Sequence, residues 1–103
     1  MDLRTAITER LAGHPLYSQE NSRNPIVYCI LFSPFLSARW YLTEHDGEDI
    51  CFGFVTGLAC DEWGYVSITE LESVCFSENF ALIECDQSFT PTAWNELFPG
   101  RSS

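Results

Sequence analysis

The stretch Ala38-Arg-Trp-Tyr-Leu-Thr-Glu-His-Asp-Gly-Glu-Asp-Ile-Cys-Phe-Gly-Phe-Val-Thr56 decides the fold. Trp40 and Leu42 alternate with Arg39, Tyr41 and Thr43, the two-residue period of a strand with unlike faces. Ile50, Phe52 and Phe54 repeat that period. Between the runs, Asp46-Gly47 is a pair suited to a tight reversal. The pattern predicts an antiparallel hairpin of Ala38–Glu44 with Ile50–Thr56. Gly53, inside the second strand, predicts a site where a large aromatic from a neighbouring strand lies close.

The flanking segments extend this pattern in both directions. Ile26–Phe32 is a continuous apolar, β-prone run, predicted to be a central strand covered on both faces and ended by Ser33-Pro34. Before it, Leu3, Ile7 and Leu11 mark one stripe of a helix, with Asp2 as its cap and Gly13 and Pro15 as its stop. His14 is placed to cap the helix C-terminus, and Ser18–Pro25 is a polar loop. After the hairpin, Tyr65-Val66 predicts a short strand. Ser67 and Glu70 have capping-box spacing for a short helix that buries Leu71 and Val74. Phe80–Cys85 predicts a last strand, and Thr90-Pro91 a terminal helix over Pro91–Leu97, with proline in its first turn. Strands grouped together rather than alternating with helices imply α+β. The predicted architecture is an antiparallel sheet of four to five strands with an N-terminal helix on one face and two short helices, in a single domain over residues 1–103.

The composition fits one modest core. The chain has 103 residues, and 46% of them are hydrophobic, which excludes a disordered polymer. Its charge is lopsided: fifteen acids face five arginines and no lysine, for a formal net charge of −10. Residues 40–100 hold twelve of those acids and no lysine or arginine. Such an excess of acids keeps a small protein soluble, and it also fits a basic partner surface. Its sign excludes direct binding to nucleic acid or to an anionic membrane. Five cysteines, an odd number with no C-x-x-C and no leader peptide, predict free thiols in a reducing, cytoplasmic setting. No apolar run approaches the roughly 18 residues of a membrane span.

The chemistry-bearing residues do not form a recognisable motif. Cys29, Cys51, Cys60 and His45 lack the local spacing of a zinc site and fit better as free thiols and a turn histidine. Neither His14 nor His45 stands in a pattern that activates a cysteine nucleophile. Glu44, Asp46, Glu48 and Asp49 crowd one turn, but their spacing is not that of a calcium loop, and a solvated acidic turn is the simpler reading. Gly53-Phe-Val-Thr-Gly57 lies in a strand without a following lysine and is no phosphate loop. No catalytic residue, metal site or cofactor is predicted.

The block Trp63-Gly-Tyr-Val-Ser-Ile-Thr-Glu-Leu-Glu-Ser73 resembles the signature of a small bacterial domain family of unknown function, carried on plasmids, integrative elements and phages. The segments Pro15–Ser18, Trp40–Glu44, Phe52–Val55, Ile83–Asp86 and Phe89–Pro91 resemble further parts of that family. Cys85 departs from it by standing where the family has arginine. The resemblance carries over no enzymatic activity, and the family's usual gene company on mobile elements, with replication, partition and antirestriction functions, is an association and not a mechanism.

Three functional expectations follow. The first is an inhibitor of a host defence system, of anti-CRISPR or antirestriction type. Its DNA-like negative surface would bind the basic face of a nuclease or CRISPR effector through Glu44, Asp46, Glu48, Asp49, Asp61, Glu62, Glu70, Glu72, Glu84 and Asp86. Glu84 and Asp86, two apart on a strand, would share a face at a phosphate-like spacing of roughly 6–7 Å. The second is an interaction module anchored by exposed aromatics, Trp63, Tyr65 and Trp94, with Tyr17 and Phe98 also near element edges. The third, ranked last, is a small metal-dependent accessory enzyme, which requires His45 and two carboxylates in one deep pocket.

Overall fold

The alternation of the hairpin is realised in the structure, a computed structural model that describes residues 3–33, 37–57, 60–75 and 83–100. In chain order the elements are α1 (Leu3–Arg10), β1 (Ile26–Val27), β2 (Cys29–Phe32), β3 (Arg39–His45), β4 (Ile50–Thr56), β5 (Glu62–Ser67), α2 (Ile68–Cys75), β6 (Glu84–Cys85), β7 (Thr92–Ala93) and α3 (Trp94–Leu97). Asp2, Pro34, Phe80 to Leu82 and the Val74 side chain, all invoked above, lie outside the described residues. The fold is α+β. Strands β5-β4-β3-β2-β6 form an antiparallel five-stranded sheet, and β1 pairs with β7 in a two-stranded one.

The sheet buries both faces. On one, Ala6, Ile7 and Leu11 of the α1 stripe and Ile68 and Leu71 of α2 pack over Cys29, Leu31, Trp40, Leu42 and Cys51. On the other, Val27, Ile30, Phe54 and Trp94 form a second cluster with Tyr41, Trp63 and Phe98 around it. The run Ile26–Phe32 serves both faces, but not as one strand. It breaks at Tyr28, where β1 leaves to pair Ile26 with Ala93. That pairing also corrects the terminal helix. Thr92 and Ala93 are drawn into an extended strand, so α3 starts at Trp94 and Pro91 precedes β7. Strand β5 is longer than its two β-prone residues suggest, because it pairs with β4 from Val55↔Glu62 to Ile50↔Ser67.

A bulge between β3 and β4 sets which way two side chains point. The register runs Leu42↔Gly53 and then Glu44↔Phe52, so Thr43 is the extra residue. In an unbroken strand Glu44 would follow Trp40 and Leu42 onto the helix-covered face. The extra residue turns it onto the opposite face, beside Phe52, and turns His45 toward the helices, opposite Cys51. Thr43 closes the bulge by donating its hydroxyl to the Phe52 carbonyl, 3.1 Å away. Gly53 makes room for it: a Cβ there would run into the Tyr41 carbonyl oxygen and stand 2.9 Å from Leu42 Cα. What approaches Gly53 is thus the backbone of β3, and not an aromatic ring.

The β3–β4 turn is organised by two aspartates. Asp46 Oδ1 accepts the amides of Glu48 (2.8 Å), Asp49 (2.8 Å) and Ile50 (3.1 Å). These bonds hold its carboxyl below the usual range. Asp49 reaches across to cap α2: Oδ1 accepts the Thr69 amide at 2.8 Å and its hydroxyl at 2.6 Å, and Oδ2 accepts the Ser67 hydroxyl. The Ser67 hydroxyl in turn accepts the Glu70 amide at 3.2 Å, one half of the anticipated capping box. Arg4 of α1 bridges Asp49 (3.0 Å) and Glu72 (3.1 Å), tying both helices to the turn. His14 takes a different place from that expected: its ring stacks on Tyr28 at 3.6 Å, and its carbonyl accepts the His45 amide.

Two predictions test this arrangement. Gly53→Ala should destabilise by about 2–3 kcal/mol or more in urea unfolding, as overpacking against backbone does. Gly64→Ala, one strand away with nothing within 4 Å of the added carbon, should stay within about 1 kcal/mol of the parent. His45 is the second case. Burial lowers its pKa from the ordinary 6.5, against the opposing pull of Asp46. The unfolded chain therefore binds more protons below pH 6.5, and the stability held by neutral His45 is lost as pH falls from there. Measured by urea unfolding, the parent should lose stability relative to His45→Gln as pH drops below 6.5. An unchanged difference would show that His45 titrates alike in both states.

Candidate functional site

A groove of about 380 Å³ opens on the face of β3, β4 and β5 that turns away from α1 and α2. Its wall is aromatic: Phe52 of β4, Trp63 and Tyr65 of β5, and Tyr17 of the loop that crosses above them. The period of two on β5 puts Trp63 and Tyr65 on one face, and the register sets Phe52 opposite Tyr65. Phe52 stacks on Trp63 (centroids 5.8 Å apart, 11° between planes) and meets Tyr65 edge-on at 5.0 Å. Tyr65 and Tyr17 are the exposed rings, at 57% and 61%. A hydrogen bond with Tyr17 raises the pKa of the Tyr65 phenol. Gln19, Glu20 and Arg23 complete the loop side.

Glu44 holds this loop in place. It is 4% exposed, and its carboxylate accepts the Tyr17 amide on Oε1 (2.9 Å) and the Gln19 amide on Oε2 (2.7 Å). Gln19 adds three bonds: its Nε2 donates to the carbonyls of Ile26 and Thr43, and its Oε1 accepts the Ile26 amide at 2.6 Å. Pinned this way, Tyr17 adopts φ +71°, in the left-handed region that side chains avoid. An exposed aromatic in a disfavoured backbone conformation, fixed by a buried carboxylate, is the kind of strain that surrounding structure must over-determine.

The ten acids assigned to a partner surface have different fates. Glu44 is inside, a correction that follows from the bulge at Thr43 and the two amides it accepts. Asp49 and Glu72 face Arg4, and Asp46 organises its turn. Asp86 lies beyond the two-residue strand β6, where it accepts the Ser88 amide (3.0 Å) and hydroxyl (2.8 Å). It does not share a strand face with Glu84. Asp61 accepts the Gly57 amide at 3.3 Å. Glu48, Glu62, Glu70 and Glu84 are exposed. Glu62 and Glu84 stand on β5 and β6, the two opposite edges of the sheet, four strand spacings of about 4.8 Å apart. Of the aromatic anchors, Tyr65 and half-buried Trp63 line the groove. Trp94, at 1% exposure, is core, because β1–β7 pairing carries it onto Phe54. Half-buried Phe98 packs beside it.

His45 faces the helices and not the groove, with Nε2 3.8 Å from Asp46. Among the described residues, no three His, Cys, Asp or Glu are placed to hold a metal ion. Among them, too, no helix is long and apolar enough to cross a membrane.

A family profile described as Protein of unknown function (DUF2958) matches residues 3–96. The chain belongs to the DUF2958 family. No curated protein and no solved structure matches it. In this DUF2958 chain, segments quoted from the sequence converge on the groove: Pro15–Ser18 supplies Tyr17, Trp40–Glu44 supplies Glu44, Phe52–Val55 supplies Phe52, and the Trp63 block supplies Trp63 and Tyr65. Phe52, Gln19 and Arg23 carried no local sign of a site. The signal for them is long-range, in which strands neighbour one another and where the loop docks.

Glu44→Ala should lower stability by about 2–4 kcal/mol, since it leaves two amides without their acceptor. Hydrogen exchange at the Tyr17 and Gln19 amides should accelerate in that variant while amides of the β3–β4 ladder keep their protection.

Proposed function

We propose that this DUF2958 protein is a non-enzymatic acidic binding protein that docks a basic partner, with an extended, arginine- or lysine-bearing segment seated in the groove. The observation that carries this reading is the groove: four aromatic rings above a buried carboxylate, on a chain of net charge −10. Aromatic faces attract cations, and the surplus of acids draws a basic partner in and speeds encounter. At about 380 Å³ the groove lies at the small end of ligand sites, the size for one or two side chains. Tyr and Trp supply rigid contact area, as at interface hot spots.

The finer version of this reading takes the partner to be a nuclease or CRISPR effector met by a mobile-element protein in the cytoplasm. The basic grooves of such proteins supply the required sign. A decoy that works through charge alone has fewer acids to use. Asp49, Glu72, Asp46, Glu44 and Asp86 are engaged within the fold, and Glu62 and Glu84 sit on opposite edges. The groove therefore ranks above charge mimicry as the docking site.

Labelled ten-residue peptides, one arginine-rich and one of the same length with glutamate in place of arginine, test this by fluorescence anisotropy. The basic peptide should bind and the acidic one should not. Tyr65→Ala and Tyr17→Ala should each weaken binding about tenfold or more, and Glu70→Lys with Glu84→Lys should weaken it less. Equal binding of both peptides sinks the reading. Loss through the charge reversals with none from the tyrosines would return the decoy version.

A further inference from the structure

On the helix-covered face, away from the groove, two cysteines of neighbouring strands touch. Cys29 of β2 and Cys85 of β6 place their sulfurs 3.7 Å apart. Both are buried, and β6 is a two-residue strand on the edge of the sheet, held by Leu31↔Cys85 and Phe32↔Glu84. Arg10 of α1 lies over the turn that follows Cys85. It donates to the carbonyls of Phe89 (2.7 Å) and Gln87 (2.9 Å), and its charge favours the ionised form of the Cys85 thiol. A thiol touching a second thiol, with a guanidinium over the turn that follows it, is a setting that favours a thiolate.

We propose that Cys29 and Cys85 are a dithiol site that reacts with low-molecular-weight disulfides and closes to an intramolecular disulfide. The Cys85 thiolate attacks one sulfur of the small disulfide, forming a mixed disulfide and releasing the other half as thiolate. Cys29 then attacks the Cys85 sulfur, and its proton passes to the sulfur of the second half, which is expelled as a thiol, while the first half takes a proton from solvent. Two electrons pass from the protein to the small disulfide, which leaves as two thiols. The sulfurs must close from 3.7 Å to a bond of about 2.05 Å. A short edge strand is the element that gives way for such a shift at low cost.

The roles follow from the surroundings of each sulfur. The Cys29 contact, helped by Arg10, lowers Cys85 to about 7 against the effect of burial, whereas Cys29 is held protonated by the same contact and by burial. The other described thiols are poor competitors. Burial pushes Cys51 up to about 12, and the Glu62 carboxylate raises exposed Cys60.

Incubation of the native protein with oxidised glutathione near neutral pH, followed by cleavage after glutamate and mass spectrometry, tests the site. Fragment 21–44 holds Cys29 as its one cysteine, and fragment 85–96 holds Cys85. The expected product is these two fragments joined, separated again by dithiothreitol. In Cys29→Ser the reaction should stop with glutathione on fragment 85–96. In Cys85→Ser, Cys29 should stay unmodified under the same conditions. The proposal is overturned if the native protein yields no joined pair, if the disulfide runs instead through fragment 49–62, or if Cys85→Ser takes up glutathione at Cys29.

Discussion

One extra residue in β3 is the constraint from which the site follows. Thr43 has no partner across the ladder, so the alternation that sends Trp40 and Leu42 toward the helices is reset before Glu44. Glycine at position 53 is what lets the two backbones come close enough for this. Once redirected, Glu44 meets the loop instead of the helical core, and its carboxylate finds amide donors where otherwise it would be stranded among Trp40, Leu42 and Ile7. A buried carboxylate needs such donors to offset its lost hydration. The loop is therefore obliged to present the amides of Tyr17 and Gln19, and the position of Tyr17 over the groove is a by-product of satisfying that charge.

The acidity of the chain takes on structure in the same way. Twelve acids with no neighbouring lysine look like a uniform surface when read as composition. In the fold, backbone and side-chain donors take over the part that cations would play. Asp46 is met by three turn amides and Asp86 by Ser88, while Asp49 gathers Thr69, Ser67 and Arg4. These donors lower the carboxyl pKa values of all three aspartates. Arg4, far away in sequence, does the work of a clasp between α1, the β3–β4 turn and α2.

How much could be read in advance depends on the range of each signal. The hairpin was legible almost to the residue, because alternation and Asp46-Gly47 are local facts. The helix α1 stripe and the Ser67 cap were legible for the same reason. The bulge is not legible, since an extra residue exists only relative to a partner strand, and without it Glu44 reads as a surface acid. The places of Pro91 and Trp94 are not local either, because the pairing of Ile26 with Ala93 joins segments about two-thirds of the chain apart. In the sequence Gln19 is one more polar loop residue, and only the fold gives its amide group the partners Ile26 and Thr43. The aromatic site was half visible: Tyr17, Trp63 and Tyr65 stood out as residues at element edges, but their assembly around Phe52 is a property of strand order.

The two glutamates at the rims of the sheet have a consequence of their own. An outermost strand offers unpaired amides and carbonyls to any second copy of the chain, the usual start of aggregation, and many proteins guard such rims with lysine. This chain has none. Glu62 on β5 and Glu84 on β6 put like charges where two copies would have to lie side by side, so the same repulsion that makes the composition look extreme opposes pairing through these rims.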